Sequence, residues 1–403
     1  MKHMRAIAFV ILLGTGAHAC TTAIVSGKAT PDGRPLLFKH RDSEALESRL
    51  VYFTDGRYPY IGLVNTSDTA GAEVWAGCNS VGFAIMNSAS YNLNVGDTSR
   101  PNDQEGEVMK RALQGCATVA DFERLLLTLP RPLGVEANFG VIDAQGGAAF
   151  FETGNFSFVK FDANDPTVAP FGYLIRTNYS FTGQREQDRG LIRYAMAEQL
   201  FYQAALTNDL SVEFMLHNVS RCLRHGLTGA DLTRNLPADD LTPTFVHFAD
   251  FIPRYSSSSS IVVQGVRPGE SPSFTTMWAA LGFPLCTVAI PVWVAAGPEL
   301  PKLLVADGKG KAPLCTMALQ LKERCFPFTK DGGRNYLNLA ALINAQGTGI
   351  MQRLRPLDHR VAEEAARRLQ EWRRSGLDQK RVQQFYRWVD DTVNAAYRSE
   401  FGL

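Results

Sequence analysis

Long hydrophobic runs are scarce in this 403-residue chain. The first, Ala6 to Leu13 (AIAFVILL), falls well short of the roughly 20 apolar residues that a membrane-spanning helix needs. No later run is long enough either, so the expectation is a mature protein that is soluble. An excess of one charge is also missing: 41 Lys and Arg stand against 40 Asp and Glu. Nothing in that balance points to nucleic acid or an anionic membrane as partner. There is no C-x-x-C pair and no H-E-x-x-H motif, and seven scattered His do not make a metal site. No Gly-rich phosphate loop follows a strand, which argues against a nucleotide-binding parallel sheet. Internal repeats are absent, and the serine run Ser256 to Ser260 is the single low-complexity stretch.

What is present begins with a leader. Lys2 and Arg5 precede the short apolar run, Gly14 and Gly16 follow it, and Ala17-His18-Ala19 has the A-x-A form of a signal-peptidase site. Residues 1–19 therefore read as a secretory signal, with export to the periplasm or the outside. Cleavage after Ala19 would make Cys20 the new N-terminus. Seven cysteines remain after export to an oxidising compartment. An odd number leaves at least one thiol unpaired in a monomer. Cys315 and Cys325 are close enough in sequence to suggest a local bridge. Buried free thiols packing as small hydrophobes are the alternative.

Along the chain, β-branched and apolar runs alternate with turns. TTAIVSG, the turn KATPDGRP and LLFKHRD read as a hairpin, so Cys20 opens a strand. Further strands are expected at 60–65, 73–77 and 82–88, with a turn at Asn79 to Gly82. Residues 138–153 form the clearest hairpin, around an Asp143 to Gly147 loop, and 172–178 another strand. Helical spacing marks Glu105 to Leu113, Val119 to Leu129, Asp188 to Leu206 and Val212 to Leu223. Strands return at 257–266 and 273–281. In the last fifty residues Val361, Ala365, Leu369 and Trp372 share one helix face, and Gly376 stops that helix. Val382, Phe385 and Ala396 share the next. Hairpins with segregated helices make an α+β layered fold.

The position of Cys20 carries the chemistry. An N-terminal cysteine has a thiol and a free α-amine on one residue, and that amine titrates near pH 7.7–8.0, far below lysine. A neutral amine can take the thiol proton, so nucleophile and general base come from one residue and no histidine is required. Two other readings of Cys20 are a lipidated cysteine on an anchored binding protein and a structural cysteine. Lipidation usually follows a leucine-like residue at −3, where this chain has Ala17.

Several segments then resemble one family. Cys20-Thr-Thr-Ala-Ile-Val-Ser-Gly-Lys, followed by Asp32-Gly-Arg-Pro-Leu-Leu-Phe-Lys-His-Arg-Asp42, is similar to the start of the N-terminal-nucleophile (Ntn) cysteine hydrolases. Gly77-Cys-Asn-Ser-Val-Gly-Phe-Ala-Ile-Met-Asn87, Asn138-Phe-Gly-Val-Ile-Asp143, Arg176-Thr-Asn-Tyr179 and Ser260-Ile-Val-Val-Gln-Gly265 continue the likeness in order. The resemblance is to the linear amide C–N hydrolase branch, with choloylglycine hydrolase, penicillin V acylase and isopenicillin N acyltransferase relatives. It covers roughly residues 20 to 300.

The resemblance implies a four-layer αββα sandwich of two antiparallel sheets over residues 20–300, with 301–403 as a mainly helical extension packed on the same domain. It implies an amidase or acylase acting on a small N-acyl amide through a Cys20 thioester, without metal or organic cofactor. A dipeptidase or an acyltransferase is the alternative within the family. The resemblance assigns Asn87 and Asn178 to the oxyanion hole and Asp42 to the α-amine. Arg41 would lie beside the thiolate. The family's Arg-x-x-Asp segment reads Lys39-His-Arg-Asp42 here, so either Lys39 or Arg41 supplies the cation. Arg254, just before the serine run, is a candidate for a substrate carboxylate. Tyr52, Phe53, Tyr58 and Tyr60 could wall an apolar pocket or simply pack the core.

Overall fold

The computed structural model describes residues 19–403; the leader lies outside the described residues, apart from Ala19. Strand β1 (Thr21–Val25) pairs antiparallel with β2 (Leu36–Asp42), as the Pro-Asp-Gly turn between them requires. A meander follows: β3 (Ser48–Phe53), β4 (Tyr60–Asn65), β5 (Ala76–Asn79), β6 (Ala84–Ala89), β7 (Ala137–Ile142), β8 (Ala148–Thr153) and β9 (Phe158–Asp162). Each is hydrogen-bonded to the next, giving a seven-strand antiparallel sheet. The chain then adds β10 (Tyr173–Arg176) to the outer edge of β1. After a short β11 (Phe245–His247) it returns with β12 (Ser257–Gln264), β13 (Thr276–Leu281) and β14 (Ile290–Val292). The six-strand order is β10-β1-β2-β12-β13-β14, so the strand that Cys20 opens lies inside its sheet. A final β15 (Tyr336–Asn338) pairs with β11.

The two large sheets pack face to face through β1 and β2 on one side and β6, β7 and β8 on the other. Ile24, Leu37, Met86 and Phe150 fill the space between them. Helices α1 (Glu105–Gly115) and α2 (Val119–Thr128) cover the outer face of the seven-strand sheet. Their core is aromatic: Phe122 sits edge-on to Phe139 at 5.7 Å and to Phe151 at 5.2 Å. Helix α3 (Leu191–Leu206) packs on β10 and β1, and α4 (Pro313–Cys325) on β13. The architecture is thus α+β, a four-layer αββα sandwich. A short α5 (Leu339–Leu342) leads to α6 (Ile350–Ser375) and α7 (Gln379–Phe401), which share one continuous core with the six-strand sheet. Gly376 ends α6 at φ 87°, a left-handed region that only glycine enters freely.

Some expectations change. The strand expected at 73–77 is β5, at Ala76–Asn79, and Val212 to Leu223 contains a π-helical turn, Phe214–Val219, in place of a regular helix. Phe53 and Tyr60 stack on each other at 4.7 Å in the core under α1, so they do not line the Cys20 cavity. The Cys315–Cys325 bridge is excluded by geometry. Both residues lie on α4, where ten residues span about 15 Å, and disulfide-bonded Cα atoms must come within about 7 Å. Cys325 Sγ instead lies 3.8 Å from Cys286 Sγ. No helix among the described residues is long and apolar enough to cross a membrane.

Candidate active site

Strand register brings the first ionisable residues together. Thr21 is opposite His40 and Thr22 opposite Lys39, and continuing that register by one residue sets Cys20 opposite Arg41. Lys39 and Arg41 alternate with His40 and Asp42 along β2, so the two pairs face opposite sides of the sheet. Lys39 and Arg41 reach the facing sheet. The Lys39 ammonium donates to Asn87 Oδ1 and to the Trp75 carbonyl, both at 2.7 Å. Arg41 Nη2 donates to Asn65 Oδ1 at 2.9 Å, and its guanidinium lies 5.1 Å from the Trp75 ring centre.

Between the sheets opens a cleft of about 490 Å³, lined by Cys20, Lys39, Arg41, Asp42, Asn87 and Trp75 among others. Cys20 itself is 4% exposed. Burial dominates the two cations. It pulls Lys39 down to about 7 and Arg41 down to about 10, while the charge of Cys20 opposes both shifts. Both candidates for the cation therefore stand in the same cleft and feel the same sulfur. Glu105, which also lines the cleft, is pushed up to about 7 by burial, with Asp103 and Glu136 adding repulsion.

Asn87 projects from β6, and its orientation is fixed by chemistry. The Lys39 ammonium has no lone pair, so in that form the amide atom facing it is the oxygen. That leaves Asn87 Nδ2 as the amide donor on the cleft side, without an acceptor among the described residues.

Asn178 departs from its expected place. Its Oδ1 accepts from the Cys20 main-chain nitrogen at 2.9 Å and from Arg193 Nη2 at 2.7 Å. Arginine has no acceptor, so this atom too must be oxygen. The Nδ2 group donates to the Ala89 carbonyl at 2.9 Å. Asn178 therefore meets the nitrogen of Cys20 with an acceptor, where an oxyanion would require a donor.

Asp42 and Arg254 also differ from expectation. The partner of the Cys20 nitrogen is Asn178; the Asp42 carboxylate instead accepts from Ser257 Oγ at 2.6 Å and from Arg254 Nε at 2.9 Å. Arg254 Nη2 adds a second contact to the same carboxylate at 2.8 Å and donates to the Ala19 carbonyl at 3.4 Å. Arg254 is thus held by Asp42.

Arg193 is a site residue that sequence reasoning missed. It is 1% exposed and donates to the Cys20 carbonyl at 2.5 Å, as well as to Thr21 Oγ1 and Asn178. Burial draws it down to about 10. The signal was there: helical spacing puts Arg193 on the buried face of α3 with Met196, Ala197 and Leu200. Among the described residues no group of three His, Cys, Asp or Glu is placed to hold a metal ion.

No protein-family model matches the sequence, and no curated protein matches it. Solved structures similar to the chain include an N-acylethanolamine-hydrolyzing acid amidase ortholog from Caenorhabditis elegans, at 12% identity and a TM-score of 0.39, over 64% of this chain and 99% of that one. Penicillin V acylase from Agrobacterium tumefaciens aligns at 11% identity and a TM-score of 0.40, over 68% and 86% of the two chains. A variant of conjugated bile acid hydrolase from Clostridium perfringens aligns at 11% identity and a TM-score of 0.37, over 68% and 92%.

Proposed function

We propose that the chain is an exported hydrolase of linear amide bonds that works from Cys20 once residues 1–19 are removed. The observation that carries this reading is the division of labour around Cys20. Its nitrogen rests on an acceptor, Asn178 Oδ1, and its sulfur shares a cleft with two cations and the Asn87 amide. Arg193 on the same Asn178 oxygen opposes a second positive charge there, which favours a neutral amine as the base.

In the proposed reaction the amine takes the Cys20 proton and the sulfur attacks the substrate carbonyl. Negative charge develops on the carbonyl oxygen, where Asn87 Nδ2 is the donor; one such donor is worth about 3 kcal/mol in comparable sites. Asn178 Oδ1 accepts from the ammonium formed in this step, and the Asp42 carboxylate on the wall of the same cleft offsets its charge. That ammonium then protonates the departing amine, and water, deprotonated by the same amine, resolves the thioester. The cleft is also an argument against a lipid-anchored binding protein: a diacylglycerol on a cysteine buried between two sheets would have to displace Lys39, Arg41 and Asn87.

The test begins with the mature protein. Intact mass and N-terminal sequencing should show an unmodified Cys20 at the start of the chain. A panel of N-acyl amides should then be cleaved by the wild type and not by Cys20→Ala, with a Cys20-linked acyl adduct trapped by rapid acid quench. A lipid on Cys20, or a Cys20→Ala variant with undiminished turnover, would end this reading. Replacing water by an added amine acceptor separates hydrolase from acyltransferase by the product formed.

A further inference from the structure

The serine run Ser256 to Ser260, unexplained by composition, lies directly behind the candidate catalytic residues. Strand β12 pairs with β2, with Ser257 opposite Asp42, Ser259 opposite Arg41 and Ser260 opposite His40. The register slips between Ser257 and Ser259, so Ser258 is the extra residue of a β-bulge. In a regular strand residues three apart point to opposite faces. The bulge brings Ser257 and Ser260 to the same face, one on each side of the His40 ring. His40 Nε2 lies 2.8 Å from Ser257 Oγ and Nδ1 lies 2.9 Å from Ser260 Oγ. All three residues are completely buried.

The proton positions follow from counting donors. A hydroxyl has one proton and two lone pairs. Ser257 Oγ gives its proton to Asp42 Oδ1 at 2.6 Å and accepts from the Arg254 main-chain N–H at 3.0 Å. Its remaining lone pair faces His40, so Nε2 carries the hydrogen and Nδ1 accepts from Ser260. Burial supports that neutral form, holding His40 down to about 4. Every position on Ser257 Oγ is then filled, and its O–H has one direction available, toward Asp42.

Resting on the amide-hydrolase reading of Cys20, we infer that Ser257 and His40 are positioning residues that fix the Asp42 carboxylate where its strand borders the Cys20 cleft. Arg254 grips one carboxylate oxygen and Ser257 the other, and His40 prevents the Ser257 hydroxyl from turning away. The serine run is the sequence signature of this device: Ser258 is the bulge residue, and Ser257 and Ser260 bring their hydroxyls to the two sides of His40.

The experiment compares matured wild type with Ser257→Ala, Ser257→Thr and His40→Phe. Substrate turnover is measured together with the rate at which iodoacetamide alkylates Cys20, a probe that needs no knowledge of the substrate. Ser257→Ala should lose about 10- to 100-fold in kcat, the worth of one hydrogen bond to a charged group, with KM little changed. Ser257→Thr, which keeps the hydroxyl, should recover most of the loss. His40→Phe should fall between them. A general destabilisation would lower the thermal midpoint of all three variants and would not be rescued by Thr. If the wild type alkylates and turns over but Ser257→Ala matches it, this inference fails while the amidase reading stands. If wild-type Cys20 neither alkylates nor supports turnover, the amidase reading fails first.

Discussion

The Lys39 ammonium donates to Asn87 Oδ1 and so sets which way Asn87 presents its amide, and this gives the clearest residue-scale prediction. Replacing Asn87 with Ala removes the donor from the cleft and should lower kcat about 100-fold with little change in KM. Lys39→Met leaves the amide in place but frees it to turn; its loss should be of the same kind and smaller. Steady-state kinetics of the two variants and their double mutant check this. Additive losses would mean that Lys39 acts independently of Asn87. Cys20 stands out in the sequence by its place after Ala19 and Asn87 by the order of short motifs, and both line the cleft. The acceptor role of Asn178 was not legible there, because an amide shows its two faces only through its partners. Nor was the hold of Asp42 on Arg254, since the two are brought together by the pairing of β2 with β12 and not by any local pattern.

Elements were read best where a local signal closed on itself. The β1–β2 hairpin has its Pro-Asp-Gly turn, the β7–β8 hairpin its Asp143 loop, and α6 its Gly376 stop. The bulge at Ser258 had no such signal, since a serine run reads as low complexity until β2 lies beside it. The π-helical turn was equally hidden, as its apolar spacing suits an ordinary helix. Cysteine pairing shows the same limit. Sequence proximity favoured Cys315 with Cys325, yet α4 separates them and carries Cys325 to Cys286, at the turn that follows β13. Refolding the reduced protein with a low-molecular-weight disulfide should therefore join Cys286 to Cys325, with two equivalents of thiol released by exchange. Peptide mapping without reductant reads the product; a Cys315–Cys325 peptide would contradict the packing of α4 described above.

At the scale of the molecule, the C-terminal helices are part of the sandwich and not an appendage. Trp293, after β14, meets Trp372 of α6 edge-on at 5.3 Å, and its main-chain N–H donates to the Tyr386 hydroxyl of α7 at 3.0 Å. Trp372 is fully buried. Trp372→Ala should cost about 3–5 kcal/mol, as for other buried aromatic residues, measured by urea unfolding. A cost below about 1 kcal/mol would mean that the helices do not share the core.

The cleft also leaves a mark on the stability of the whole fold, because it buries ionisable groups of both signs. Lys39 holds about 7 in the folded chain against an ordinary 10.5. Below 7 the folded chain carries the buried cation at full cost. Between 7 and 10.5 the unfolded chain binds a proton that the folded chain does not, so this contribution makes stability rise with pH. Glu105 behaves in the opposite sense, at about 7 against an ordinary 4.5. Between 4.5 and 7 the folded chain keeps a proton that the unfolded chain has lost, and stability falls as pH rises. Above 7 the buried carboxylate is ionised and its cost is complete. Differences between variants cancel the groups that lie far from the substituted one. The stability of Lys39→Met relative to wild type should be greatest near pH 7 and below, and should shrink steadily toward pH 10. Glu105→Gln relative to wild type should gain between pH 5 and 7 and then level off. Urea midpoints at unit pH intervals give both curves. A flat difference for Lys39→Met would mean that the ammonium is solvated in the fold, and with it would go the argument that a buried cation faces the sulfur of Cys20.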